Sequence, residues 1–437
     1  MVERTAVTFI DLGELTEPTE PAPPLRTRRR RPGRSRTLLA LLASVTLLVV
    51  AGAAPPTPRV RAILPAALAV FLSTEHVFTV VAQRGVTDGS QELLAYRRPE
   101  PTVGPPQPLT PLWRMPLGSF HGVQLVESVA DGVLLILAPT GQADHNYAET
   151  LLLDGRTGQE RWRRSGTGTL DPSGRLLLQT DAAARPDRLT VVEVASGREL
   201  WSSSAAWASY HEPHAVVVTY TPAGDIEVLD PATGAVRGRL SDVDEPSDRL
   251  YAAIAGDLVV VLRNPTTVVG YDLDGLVQRW RVSVTPVDYV TGCGDLLCAR
   301  AHHGGTQLLD PVTGAVRWTH VTDADDVYID LAGERRALAM DFRPSTPGVT
   351  AIDAATGRTA PDYGTWARVA GPGLAPYLLG VRSVAGGGLV LARLDPAQPQ
   401  PRRIDVLAGA VDGCQYRAGL IACRRHGGDF GLWQLPD

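Results

Sequence analysis

From residue 60 onward the chain alternates short apolar runs with turn residues, as in AVVVTYTP (215–222) and DLVVVLRN (257–264). Runs of this length, bounded by Gly, Pro, Asn and Asp, predict short buried β-strands, not amphipathic helices. One phrase returns along this pattern: LLLDGRTGQERW (151–162), TVVEVASGRELW (190–201), IEVLDPATGAVRG (226–238), VVGYDLDGLVQRW (268–280), TQLLDPVTGAVRW (306–318) and VTAIDAATGRTA (349–360). Its marker glycines, Gly158, Gly197, Gly234, Gly275, Gly314 and Gly357, are spaced 39, 37, 41, 39 and 43 residues apart. Looser copies end at Asp395 and Asp437, and an earlier one at Tyr96 is followed by a Pro-rich insertion before LWRMPL.

The phrase has a physical reading. An apolar strand ends in Asp (Asp154, Asp230, Asp272, Asp310, Asp353), whose carboxylate can accept from backbone N–H groups two residues on and close a turn. The Gly then supplies the positive φ that a branched residue resists. The next strand opens with a Trp (Trp162, Trp201, Trp280, Trp318), an apolar plate suited to the gap between neighbouring units. With two further β-like runs between phrases, each period of about 40 residues carries four short strands, which predicts an all-β fold of repeated propeller blades.

The D-x-x-T-G-x-x-x-W phrase at this period resembles the pyrroloquinoline-quinone-like (PQQ-like, quinoprotein-type) repeat β-propellers, the group that includes BamB-type assembly factors. The resemblance covers nearly all of residues 60–437 and implies a β-propeller. Nine third strands run from Tyr96 to Asp437. Propellers of this family often complete with one terminus a blade begun by the other, so eight blades is the expectation, with seven and nine as alternatives. The resemblance does not bring the family's redox chemistry with it. Quinoprotein dehydrogenases use adjacent cysteines beside the quinone and a carboxylate base near calcium, and this chain has no Cys-Cys pair and no C-x-x-C-H haem motif.

Composition and charge narrow the function further. All 42 residues counted as Lys or Arg are Arg, which excludes Schiff-base, P-loop and protein-kinase lysine chemistry. Residues 1–36 carry five acids and eight Arg, a charge of +3, leaving −8 for the rest of a chain whose net charge is −5. So acidic a domain does not read as a nucleic-acid binder.

Seven of those Arg, from Arg26 to Arg36, precede the uncharged run 37–54. A helix over that run reaches about 27 Å, within the range of a membrane span. The Arg cluster keeps the N-terminus cytoplasmic. The organisation read from the sequence is a cytoplasmic tail (1–36), a transmembrane signal-anchor helix (37–54), a Pro-rich linker (55–59) and an extracytoplasmic propeller (60–437) in a single-pass membrane protein. Ala51-Gly52-Ala53 offers an A-x-A-like site for the alternative of a cleaved signal peptide, and both readings export the domain. The second apolar stretch, 62–72, holds Pro65 and is read as a pair of strands. The cytoplasmic segment 7–15 (VTFIDLGEL) reads as a disordered tail or a linear docking motif.

The four cysteines fit an exported domain. With Ala418-Gly419 as a two-residue hairpin loop, Arg417 faces Leu420 and Cys414 faces Cys423. Cys293 and Cys298 face each other if Asp295-Leu296 is the loop, and fall out of register if Gly294-Asp295 is. Four cysteines allow three connectivities, of which the two local disulfides are preferred.

Other clusters carry weaker chemistry. His211-Glu212-Pro213-His214 contains a proline and lacks the helical spacing of H-E-x-x-H, so it reads as a polar loop. Asp242, Asp244, Glu245 and Asp248 lack the turn glycine of an EF-hand and read as a solvated acidic loop. His302-His303 and Asp323 to Asp326 fall where inter-strand loops belong, and no G-x-S-x-G elbow is present. No catalytic, cofactor or metal residue is assigned. The expected function is a non-catalytic binding scaffold for a protein or cell-envelope component, held to the membrane by one helix; the rival is a PQQ-, calcium- or other metal-dependent enzyme with its site in the central channel.

Overall fold

The computed structural model describes residues 60–435 apart from loop stretches, the longest being 101–105, 140–147, 181–187, 242–250, 321–326, 342–347 and 372–377. The chain divides into Met1–Thr57 and Pro58–Asp437, and the described residues all lie in the second unit. The tail, the segment 7–15, the span 37–54 and the linker 55–59 lie outside them. Among the described residues no helix is long and apolar enough to cross a membrane.

The described chain is all-β, with one 3-10 turn at Glu212–His214. Its strands form nine sheets, eight of four strands and one of five. The first sheet holds Ala69–Leu72, His76–Ala82, Gln91–Arg97 and Trp113–Gly118. The second to eighth follow in chain order and begin at His121, Thr167, Trp207, Tyr251, Tyr289, Val327 and Ala367. Every neighbouring pair within these eight is antiparallel, and all but Gln91–Arg97 with Trp113–Gly118, which the Pro-rich insertion separates, are consecutive in sequence, as short hairpins allow and parallel pairing would not.

The closing sheet joins the two ends of this unit. Ala410–Arg417, Leu420–Arg425 and Phe430–Gln434 take Val60–Leu64 as their fourth strand, and Gln107–Pro108 from the Pro-rich insertion adds a short parallel fifth. Terminal sharing therefore occurs as the family resemblance implies, but it does not merge two third strands. It supplies the fourth strand that the last copy lacks, so the described residues give nine sheets where eight blades were expected.

Packing explains why the second and third strands read as unbroken apolar runs. Neighbouring sheets pack on one another. Successive clusters join the closing sheet to the first and each sheet to the next as far as the sixth, and the seventh to the eighth, which packs back on the closing sheet through Leu379, Leu391, Ile421 and Trp433; the first strands of the sixth and seventh sheets, Tyr289–Cys293 and Val327–Leu331, run close together. Leu258 to Leu262 are all buried, whereas the outer strand Glu160–Ser165 alternates exposed Arg with partly covered Trp162. Repetition thus removes two-sided solvent exposure from all but the outer strands.

Both disulfides form locally. Ala418 and Gly419 take φ of 48° and 80°, the positive values of a type I′ turn, and Arg417 pairs with Leu420. A bulge between Asp412 and Gln415 then sets Cys414 opposite Cys423. For the first pair, the structure decides between the two registers left open by the sequence. Cys293 pairs with Leu296 and Cys298 with Thr291, so the loop is 294–295 and the disulfide is diagonal. The two Cα atoms are still only 5.7 Å apart, within the disulfide window, because strand twist brings one diagonal of a hairpin closer.

Candidate functional site

In an antiparallel sheet ordered by sequence, the first-to-second and third-to-fourth connections leave from the same end. The Asp-Thr-Gly turns and the inner hairpins therefore build one face. At four of these turns the Asp does two things. Asp154 Oδ1 accepts from the backbone N–H groups of Arg156 (3.0 Å) and Thr157 (3.1 Å), and its Oδ2 takes Arg161 Nη2 at 2.6 Å. Asp230 repeats this with Ala232, Thr233 and Arg237, and Asp310 with Val312, Thr313 and Arg317. Asp272 accepts from Asp274 N–H and pairs with Arg279, and Asp353 accepts from Thr356. The Arg seven residues after the Asp is a member of the motif that the sequence reading passed over, although its spacing repeats at Arg161, Arg237, Arg279 and Arg317.

These pairs set an acid limit. Arg161 holds the Asp154 carboxyl well below the usual carboxylate range, and Arg237 brings Asp230 down to about 2. Asp272 is lowered chiefly by Arg279, and Asp310 is lowered by Arg317 and turn N–H groups against an opposing effect of burial. A folded pKa below the unfolded one contributes stability that is present above the unfolded value near 4 and lost as pH falls through the folded one. The melting temperature is thus expected to hold from pH 7 to 5 and to fall between about pH 4 and 2. Arg237→Gln should flatten part of that fall, and an unchanged acid profile in this variant would contradict the assignment.

The Trp and the Gly meet across sheets. Trp113, Trp162, Trp201 and Trp280 each send Nε1–H to a backbone carbonyl in the next sheet, on Gly155, Val194, Pro231 and Pro311, at 2.8–3.0 Å. Their rings lie over Gly158, Gly197, Gly234 and Gly314, and Trp318 lies over Gly357, so closely that a Cβ on any of these glycines would fall 2.5–2.7 Å from a ring carbon. The Gly is required twice, by its positive φ and by the indole above it. Gly275 is the exception and corrects the sequence reading. The residue four after Asp272, whose N–H bonds the Asp carbonyl as the other glycines do, is Leu276, with φ of 51°. The position facing it in the preceding sheet, where the Trp belongs, is Gly238.

Between the first and second sheets this face opens into a cavity of about 820 Å³. Thr74, Glu75 and His76 line it from one inner hairpin, Ser128 to Gly132 from the next, and Asp154, Arg156 and Arg161 from the second sheet's outer turn. Ser73 Oγ lies 2.7 Å from Ser128 Oγ, which lies 3.4 Å from His76 Nδ1. Burial lowers the His76 pKa, so the imidazole is neutral at pH 7. With Asp154 and Arg161 paired, Glu75, Asp131 and Arg156 leave a rim carrying both signs of charge. Beside it Arg417 of the closing sheet pairs with Glu127 of the second at 2.5 Å, and Arg98 donates to the carbonyls of Ser73 and Ala418, at 2.9 and 2.6 Å. No spacing rule joins these segments in the sequence, which is why the cavity was not foreseen.

The His211 and His214 rings stack, centroids 5.2 Å apart, on the 3-10 turn of the same face. Asp242, Asp244, Glu245, Asp248, His302, His303 and Asp323 to Asp326 lie outside the described residues. Among those described, no cluster of three or more His, Cys, Asp or Glu could hold a metal ion.

The family model described as outer membrane protein assembly factor BamB matches residues 110–360, more than half of the chain. The chain belongs to the BamB family. Among solved structures, BamB from Moraxella catarrhalis is 14% identical, with 71% of this chain and 96% of that one covered at a TM-score of 0.41. The computationally designed Ika8 protein is 12% identical over 86% of this chain and 99% of its own, at 0.44. Saccharomyces cerevisiae Sqt1 is 11% identical over 88% and 97%, also at 0.44. No curated protein matches the sequence. The residues of the family model include the wedges at Trp162, Trp201, Trp280 and Trp318 and one wall of the polar cavity, but not Thr74, Glu75 or His76.

Proposed function

We propose that this BamB-family chain is a membrane-anchored, extracytoplasmic β-propeller of nine blades that holds a protein partner on its turn face and has no chemistry of its own. The observation that carries the reading is the 820 Å³ polar cavity, with a rim of both signs on a face whose turns are fixed by Asp–Arg pairs and Trp wedges. A rigid scaffold presenting loops suits recognition, and a mixed-sign rim selects a partner by complementary charge more than by raw affinity. The family's description as an assembly factor supports a binding role. The Arg cluster and apolar run before residue 55 support the anchor and the outward location.

A photo-crosslinking residue placed at Glu75 or Arg156 in intact cells should capture one defined envelope protein. The same residue at Arg402, on the outer strand of the eighth sheet, should not. Arg156→Glu should lower the capture about tenfold, the loss of about 1.4 kcal/mol in binding. Equal capture from all three positions, or none from Glu75 and Arg156, defeats the reading. In spheroplasts, added protease should degrade the propeller and spare an N-terminal tag; a protected propeller refutes the location alone.

A further inference from the structure

The polar cavity holds a hydrogen-bond chain that can run in either direction. Ser73, 1% exposed, accepts the His76 N–H at 2.9 Å, and its own proton has two acceptors in reach, the His76 carbonyl at 3.1 Å and Ser128 Oγ at 2.7 Å. Ser128 in turn lies 3.4 Å from His76 Nδ1, so the chain crosses from the first sheet to the second and ends on an ionisable group. With a neutral imidazole protonated at Nε2, Ser73 donates to Ser128 and Ser128 to Nδ1. When Nδ1 takes a proton the order reverses: Nδ1–H donates to Ser128, Ser128 to Ser73, and Ser73 to the His76 carbonyl. Every donor keeps an acceptor in both states, so protonation strands no buried polar group.

Charged groups surround this imidazole. Its own hairpin carries Glu75, and Arg97 stands opposite it on the next strand. The second sheet lines the cavity with Asp131, Arg156 and the Asp154–Arg161 pair. Toward the closing sheet, Arg98 donates to the Ser73 and Ala418 carbonyls and Arg417 pairs with Glu127. No ion pair among the described residues takes up Glu75, Asp131 or Arg156, so the rim offers two free carboxylates and one free guanidinium. That balance suits a partner presenting a cationic side chain. Burial lowers the His76 pKa and Glu75 opposes that, so the ring is neutral at pH 7 and charges only in acid. We infer that acid releases the partner: a proton taken up by His76, accommodated by reversal of the serine chain, offsets Glu75 and Asp131 and loosens their hold on a cationic group of the partner. The gate acts on the partner site proposed above and stands only with it.

A photo-crosslinking residue at Thr74 or Ala130, both uncharged and exposed at the cavity, tests this in intact cells held at pH 7.5 and at pH 5.0. Capture of the partner is expected to fall about fivefold at pH 5.0 with His76 present, and to stay within about twofold in His76→Gln, which keeps hydrogen-bonding atoms at the ring's place without its charge. Equal capture by the two proteins at pH 7.5 shows that the variant is folded. Histidine ¹³Cε1 NMR of the full-length protein in detergent, with the His76 signal identified by its loss in the variant, should show a titration below the ordinary value near 6.5 and a neutral ring protonated at Nε2. Equal capture by the unsubstituted protein at both pH values, an equal fall in His76→Gln, or a His76 that stays neutral down to pH 5 overturns the gate and leaves the partner site in place. No capture from either position at either pH defeats the partner site and the gate with it.

Discussion

Gly314→Ala is expected to destabilise the fold by about 3 kcal/mol or more, whereas Gly256→Ala costs about 1 kcal/mol. Both glycines hold a left-handed backbone, at φ of 72° and 59°. Both substitutions therefore carry the strain of an L-residue in that region. Only one meets anything else. A Cβ on Gly256 has no neighbour within 4 Å, while one on Gly314 lands 2.6 Å from Trp280 Cε3 and 2.9 Å from Val282 Cγ1. Trp280 is buried and its Nε1–H is bonded to the Pro311 carbonyl, so the ring cannot retreat without losing that bond and opening the interface between the fifth and sixth sheets. Urea melts of the two variants, compared at equal m-value, read the difference directly. Equal midpoints would show that the Trp over Gly contact does not hold these sheets together.

The sequence made the repeat legible because its decisive interactions are local. The Asp carboxylate, the turn N–H groups and the Gly lie within five residues, so composition and order are enough to predict them. The Ala418-Gly419 hairpin was readable for the same reason, and it carried the register of Cys414 and Cys423 with it. The failures share the opposite property. Gly275 reads as a marker because it is a glycine near the right place, but the left-handed slot is defined by the hydrogen bond to Asp272, and that falls on Leu276. The register of the Cys293 hairpin stayed open for the same reason: the better turn puts the two cysteines out of direct register, and only the twist of the folded strands lets the diagonal pair reach across. The ninth sheet was hidden by the choice of which strand the N-terminal segment completes, a contact spanning almost the whole unit. The polar cavity draws on residues 74–76, 128–132, 154–156 and 161, which only the packing of two sheets brings together.

The exception at the fourth and fifth sheets gives the second prediction. At this interface the usual partners are exchanged in size: Gly238 stands where the Trp belongs, and Leu276 stands where the Gly belongs, with its Cγ and Cδ1 3.6–3.7 Å from a Cβ built on Gly238. Leu276 is 5% exposed and packs with Val216, Val228 and Tyr271, so it fills from one side the space an indole fills from the other. Leu276→Gly alone should cost about 2–4 kcal/mol, the cavity left by a buried Leu, reduced by about 1 kcal/mol of relieved backbone strain. Gly238→Trp alone should cost about 1–3 kcal/mol by overpacking against Leu276. The double variant rebuilds the pairing present elsewhere, an indole over a left-handed Gly with its N–H within reach of the Leu273 carbonyl, the position equivalent to Pro231 and Pro311. It is therefore expected to recover most of both losses, with a coupling of about 2–3 kcal/mol in a double-mutant cycle. Additivity within about 0.5 kcal/mol would mean that Gly238 and Leu276 are independent, and that the size exchange between them is not what keeps this interface packed.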